Sequence, residues 1–145
     1  MIMMNNYFTL YEFLYSGTAL EKKIPNWPED FWVIENIQGK LLPVLNKLRE
    51  AWGEPIKITS GFRSKALNKA VGGVENSLHL KGLAADIVPV NGNFTYFKNF
   101  VQLYFQDKSF DQVIIEKSGS SQWIHLGVES NDGRQRKQLF GLTIK

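Results

Sequence analysis

The chain has 145 residues, 43% hydrophobic and 21% charged, an ordinary globular composition long enough to bury a sizeable core as one domain, residues 1–145. It contains no cysteine, which excludes disulfides and any metal site built from thiolates. Lysines and arginines outnumber acidic residues by 17 to 14, and this mild net charge of +3 is scattered along the chain, so no nucleic-acid partner is expected. No run reaches the roughly 18 apolar residues of a membrane span. The start, Met1 to Tyr7, has neither a basic leader nor a cleavable apolar stretch. A monomer made in the cytoplasm is therefore expected.

In chain order, Thr9-x-x-Glu12 has the form of a capping box, with Leu10, Phe13 and Leu14 on one helical face, and this helix should stop near Ser16-Gly17. Ile24 to Pro28 carries two prolines and reads as a loop, with Trp27 as a packing anchor. From Glu29 to Trp52, apolar residues Ile34, Ile37, Leu41, Leu45, Leu48 and Trp52 recur at helical spacing, and Pro43 should kink or split the helix. Ile56 to Thr59 alternates as a short strand and delivers the chain into the loop Ser60-Gly61-Phe62-Arg63. Ser64 can cap a helix through Ala70, closed by Gly72-Gly73.

Ala84 to Val88 reads as a central strand, and Asn93 as the cap of a helix whose stripe Phe94, Phe97, Val101 and Tyr104 belongs to the core. Most of the aromatic content, 13% of the chain, is read the same way. Asp111 to Glu116 and Trp123 to Val128 form a hairpin across Lys117 to Ser121, and Gln135 to Ile144 is a last strand. Arg134, Arg136 and Lys137 at its start read as a solvated edge within reach of an anionic polymer.

Between these elements lies Ser77 to Asp86, which holds His79, one of two histidines, and an aspartate at the end of a small, apolar run. A carboxylate entering an apolar strand costs several kcal/mol unless something compensates it. A metal shared with His79 would do so, and Gly82 would let the chain turn back so that both side chains converge. His125 lies in another apolar stretch, Trp-Ile-His-Leu-Gly. Two imidazoles and a carboxylate are a common catalytic zinc set with one position left for water. Histidines satisfied within a core fit the same residues.

The pattern Ser77-x-His79-x-x-Gly82-x-Ala84-x-Asp86 resembles the signature of the zinc D-alanyl-D-alanine peptidases, peptidase family M15. Ser60 to Ser64 and Trp123-Ile124-His125 resemble that family's other two landmarks, and the likeness runs from about Phe8 to the last strand. It is nearest to a phage and bacterial subgroup in which a phenylalanine-rich helix precedes the motifs. The resemblance implies zinc held by His79, Asp86 and His125. It also implies that Arg63 stabilises an oxyanion, that Ser77 hydrogen-bonds substrate, and that the substrate is a peptidoglycan stem or cross-bridge peptide. Either a D-Ala-D-Ala carboxypeptidase or an endolysin-type endopeptidase is implied, acting on cell wall after release. The expected fold is α+β, a small antiparallel sheet carrying the zinc site with helices packed on one face, as in these peptidases and the hedgehog signalling domain.

The pattern departs from the family at one place. In much of it an acidic residue three positions before the last zinc histidine is the general base, and here that residue is Gln122. An amide cannot take a proton from water at neutral pH. If the hairpin pairs Lys117 with Gln122, Glu116 faces Trp123 and shares a sheet face with His125, while Gln122 points the other way. Glu116 is then the expected base, with Asp111 next; a one-residue change of loop length reverses the parity. The amide at position 122 also leaves room for a non-catalytic zinc domain that only binds wall peptide or a partner.

Overall fold

The computed structural model describes residues 6–130 and 132–144, so most of the Met1 to Tyr7 start lies outside the described residues. Helix α1 (Leu10–Leu14) opens with Glu12 reaching back to accept the Thr9 N–H at 2.9 Å, the acidic half of a capping box. It stops where expected, but Ser16 at once caps a second short helix, α2 (Gly17–Lys22), accepting the Ala19 N–H at 3.1 Å. One serine thus ends one helix and starts another, which helical spacing alone did not reveal.

Trp27 is not a packing anchor: 65% of its surface is exposed. Its neighbour Asn26 holds this loop instead. The Asn26 amide donates to the Leu14 and Phe62 carbonyls, both at 3.0 Å, and its carbonyl accepts the Ser64 N–H at 2.7 Å. With three hydrogen bonds fixing the backbone, the indole need not be buried for the loop to be ordered.

The long helical pattern is split as Pro43 requires. Helix α3 (Phe31–Asn36) passes into a π turn, Ile37–Leu41, and then into α4 (Leu42–Trp52), with Pro43 in the first turn of α4. Proline has no N–H to give the preceding turn, and the wider π turn absorbs that gap without ending the helix. Ile37, Leu41, Leu45 and Leu48 on the inner face are fully buried, each stabilising the fold by about 1.5–3 kcal/mol.

Strand β1 (Ile56–Ser60), helix α5 (Lys65–Ala70), strand β2 (Ala84–Pro89), helix α6 (Phe94–Phe105), the hairpin β3 (Gln112–Ser118) and β4 (Ser121–Gly127), and β5 (Gln138–Ile144) complete the order. The sheet order is β1-β2-β4-β3-β5. Four strands pair antiparallel as expected, while β5 runs parallel to β3 and makes the sheet mixed. The reason is topological: β4 ends level with the start of β3, and a short connection carries the chain round to begin β5 at that same end, Gln138 pairing Gln112. The fold is α+β. No helix among the described residues is long and apolar enough to cross a membrane.

Alternation divides the sheet into two chemistries. Ala85, Ile87, Val113, Ile124 and Leu126 face the core, where α6 packs on β2 and β4 with α4 behind it. Asp86, His125, Ile114 and Glu116 lie on the opposite face, because Asp86 pairs His125 and His125 pairs Ile114. A bulge at Thr59 shifts β1 so that Ser60 rather than Thr59 stands opposite Asp86.

Candidate active site

His79 is delivered by a 3-10 turn, Leu78–Lys81. Ser77 caps this turn, its hydroxyl accepting the His79 N–H at 3.2 Å. Gly82 closes it at φ 72°, where a Cβ would meet the Val33 carbonyl oxygen at 2.7 Å and Ile37 Cγ1 at 2.8 Å. Only glycine satisfies both the left-handed backbone and the close approach of α3. The chain then turns back into β2, as expected from Gly82, and brings Asp86 under the imidazole.

One carboxylate organises the centre. Asp86 Oδ1 lies 3.3 Å from His79 Nε2 and 3.1 Å from His125 Nδ1, and Oδ2 accepts from Arg63 Nη2 at 3.4 Å. One ligand atom from each of His79, Asp86 and His125 lies within 4.8 Å of the others, a set able to hold a metal ion. The two imidazole rings are 5.2 Å apart, and His79 and Asp86 are almost fully buried. Burial pushes the Asp86 carboxyl up, but the imidazoles of His79 and His125 outweigh it and hold the carboxyl far below the usual carboxylate range.

The protonation of His79 decides what this cluster needs. Its Nδ1 lies 2.8 Å from the Gly61 carbonyl oxygen, which can only accept, so Nδ1 carries a proton. Nε2 then either presents a lone pair to the Asp86 carboxylate or carries a second proton. If it presents a lone pair, that lone pair and the carboxylate oxygen repel in a buried site, and a bound cation relieves the repulsion; if it carries a proton, it donates to Asp86. A backbone carbonyl fixing the far nitrogen is the usual support of a metal-binding histidine. The donor set therefore fits a divalent metal. Gly61 is itself fixed, since a Cβ there would come within 2.4 Å of the Phe13 carbonyl oxygen, and α1 thereby supports the loop behind the site.

Arg63 is held on all three of its nitrogens. Nε donates to Ser60 Oγ at 3.2 Å, Nη1 to Asn68 Oδ1 at 3.2 Å and Nη2 to Asp86. Asn68 is buried and was not singled out from the sequence; nothing in a polar position of a short helix marks it. Arg63, Ser77, His79, Glu116 and His125 all line one cavity of about 600 Å³. The Ser77 hydroxyl is thus on the wall, but its geometric partner is the turn that carries His79.

The hairpin has the register that puts Glu116 on the site face: Lys117 pairs Gln122, Glu116 pairs Trp123 and Ile114 pairs His125. It closes one pair tighter than supposed, with Ser118 opposite Ser121, which leaves the parity unchanged. Glu116 is buried, its Oε1 accepting from Trp123 Nε1 at 3.0 Å and lying 4.0 Å from His125 Nδ1. Gln122 is exposed and on the other side of the sheet. Asp111, the second choice for a base, does not join the cavity wall. It is wholly buried, with Oδ1 and Oδ2 taken by Arg136 at 2.8 and 2.7 Å. Arg136 is accordingly tethered rather than a freely solvated edge.

The family model described as Peptidase M15 matches residues 6–127, a span that includes His79, Asp86 and His125 and ends with β4. No curated protein matches the chain.

Proposed function

The chain belongs to the Peptidase M15 family, and on that premise we propose that it is a zinc peptidase that hydrolyses D-amino-acid-containing stem or cross-bridge peptides of bacterial peptidoglycan. The observation that carries the reading is the pairing of His79 Nε2 with Asp86 Oδ1 at 3.3 Å while Nδ1 is committed to the Gly61 carbonyl. The likeness of the Ser77 to Asp86 motif to the D-alanyl-D-alanine peptidases points to the class of peptide.

His79, Asp86 and His125 would hold the zinc, which when bound supplies Lewis acidity toward a peptide carbonyl. Glu116 is the general base: its carboxylate takes a proton from the attacking water and returns it to the leaving amine nitrogen. Trp123 donates to Glu116 Oε1 and so fixes the direction from which that proton is taken. The Arg63 guanidinium, pre-set by Ser60, Asn68 and Asp86, stabilises the negative charge that develops on the carbonyl oxygen. Because its nitrogens are already oriented by folding, little reorganisation is needed as that charge forms.

The test is digestion of purified peptidoglycan by protein of known zinc content, with released peptides read by mass spectrometry. Products that disappear with a chelator and return with zinc are expected. One zinc per chain with no bond cut in any wall type would instead identify a non-catalytic wall-binding domain.

A further inference from the structure

The cavity carries a second arginine whose position is fixed from behind. Arg136 lines the same wall system as His79, Glu116 and His125, and its side chain is 48% exposed. Its Nε and Nη2 bond both oxygens of Asp111, a carboxylate with no exposed surface, at 2.8 and 2.7 Å. The Arg136 backbone N–H also donates to Asp111 Oδ1 at 3.1 Å, and the Gln138 N–H donates to the Asp111 carbonyl at 2.9 Å. The ion pair thus ties the segment that enters β5 to the start of β3.

This arrangement differs from an ordinary surface ion pair. Asp111 occupies the Nε–Nη2 edge of the guanidinium, which leaves the Nη1–Nη2 edge for another planar acceptor. The rotamer freedom that a surface arginine loses on gripping a ligand has already been lost in folding. Arg63 is less suited to that task, because Nε, Nη1 and Nη2 are each engaged by Ser60, Asn68 and Asp86. Arg134 is 75% exposed and pairs with Asp132 on the rim, where solvent screens it.

Strand geometry places this cation relative to the reacting centre. Gln112, Ile114 and Glu116 follow one another along the site face of β3, with His125 opposite Ile114. Arg136 is anchored to Asp111, which immediately precedes Gln112 and stands three strand steps of about 3.3 Å from the level of His125, while Glu116 lies two steps beyond on the other side. We propose that Arg136 is a substrate-binding residue that takes a carboxylate borne one or two residues from the scissile bond, an assignment that rests on the peptidase reading above. A stem peptide offers that chemistry from two sources: its C-terminal carboxylate, or the free α-carboxylate of an isopeptide-linked glutamate.

Three synthetic stem peptides separate the sources: one with both carboxylates free, one amidated at the C-terminus and one amidated at the glutamate α-carboxylate. With the zinc-loaded protein, one of the two amidations should raise KM tenfold or more with little change in kcat, and which one identifies the source. In Arg136→Gln that penalty should fall to less than twofold, and in Arg136→Lys, which keeps the charge without the fork, it should be intermediate. Equal KM for all three peptides with the unaltered protein would overturn the assignment without recourse to any variant, as would a penalty that persists in a folded Arg136→Gln protein. Calorimetric titration of the same peptides should give Kd values in the same order. Absence of cleavage with that order preserved would count against the peptidase reading and leave the Arg136 site standing.

Discussion

His79 Nε2 and Asp86 Oδ1 face each other at 3.3 Å, and the proton on the far side of the ring is held by Gly61. That relationship suits a metal ion bound between them. Replacing His79, Asp86 or His125 by alanine should lower zinc affinity by more than about 100-fold, since loss of a ligand exceeds the 10–100-fold loss for an outer partner. Metal content after dialysis, and the rise in melting temperature on adding zinc, both report this. Full retention of metal in any of the three would remove that residue from the ligand set.

Glu116→Gln preserves shape and the Trp123 contact but not the basic oxygen. Zinc content should be unchanged, while kcat falls by about 10²–10⁴. Unchanged turnover would sink Glu116 as the base, and Asp111 could not replace it, because Arg136 occupies both of its oxygens.

Gly82→Ala tests whether the turn that presents His79 depends on its glycine. A side chain at φ 72° costs about 1–3 kcal/mol in backbone strain, before any overlap with the Val33 carbonyl 2.7 Å away. The urea midpoint should fall at unchanged slope, together with zinc affinity. A midpoint equal to that of the unaltered protein would mean that α3 and the turn separate freely.

Asp111 gives the protein an acid-sensitive tether. Burial pushes its carboxyl up, but the Arg136 guanidinium outweighs this and holds it below the usual carboxylate range. Its contribution is therefore complete above an unfolded value of about 3.9 and is lost as pH falls through the lower folded value. Asp111→Asn should cost about 1–3 kcal/mol at pH 7 and flatten the decline in melting temperature below about pH 4. A variant that declines as steeply as the parent would place the acid sensitivity elsewhere.

Much of this molecule was legible from residue order. Ser64 and Asn93 cap helices through local hydrogen bonds, accepting from Leu67 and Tyr96, and such bonds need no knowledge of distant residues. Pro43 forced a change of helical winding because a missing N–H is a property of one residue. The parity that brings Glu116 beside His125 followed from alternation once a register was supposed. By contrast, Trp27 could not be placed from its size, because Asn26 took over the anchoring of its loop through partners 12 and 36 residues away.

The sequence by itself determined most of the local elements, the side chains available to a metal and the turn at Gly82, since each depends on torsion preferences and side-chain chemistry within a few residues. Only the tertiary structure decided that β5 lies parallel to β3, that Asn68 orients Arg63, and that Asp111 is a buried tether for Arg136 rather than a base. Those outcomes depend on which charges and backbone edges meet across the fold, where desolvation and pairing are set by neighbours remote in the chain.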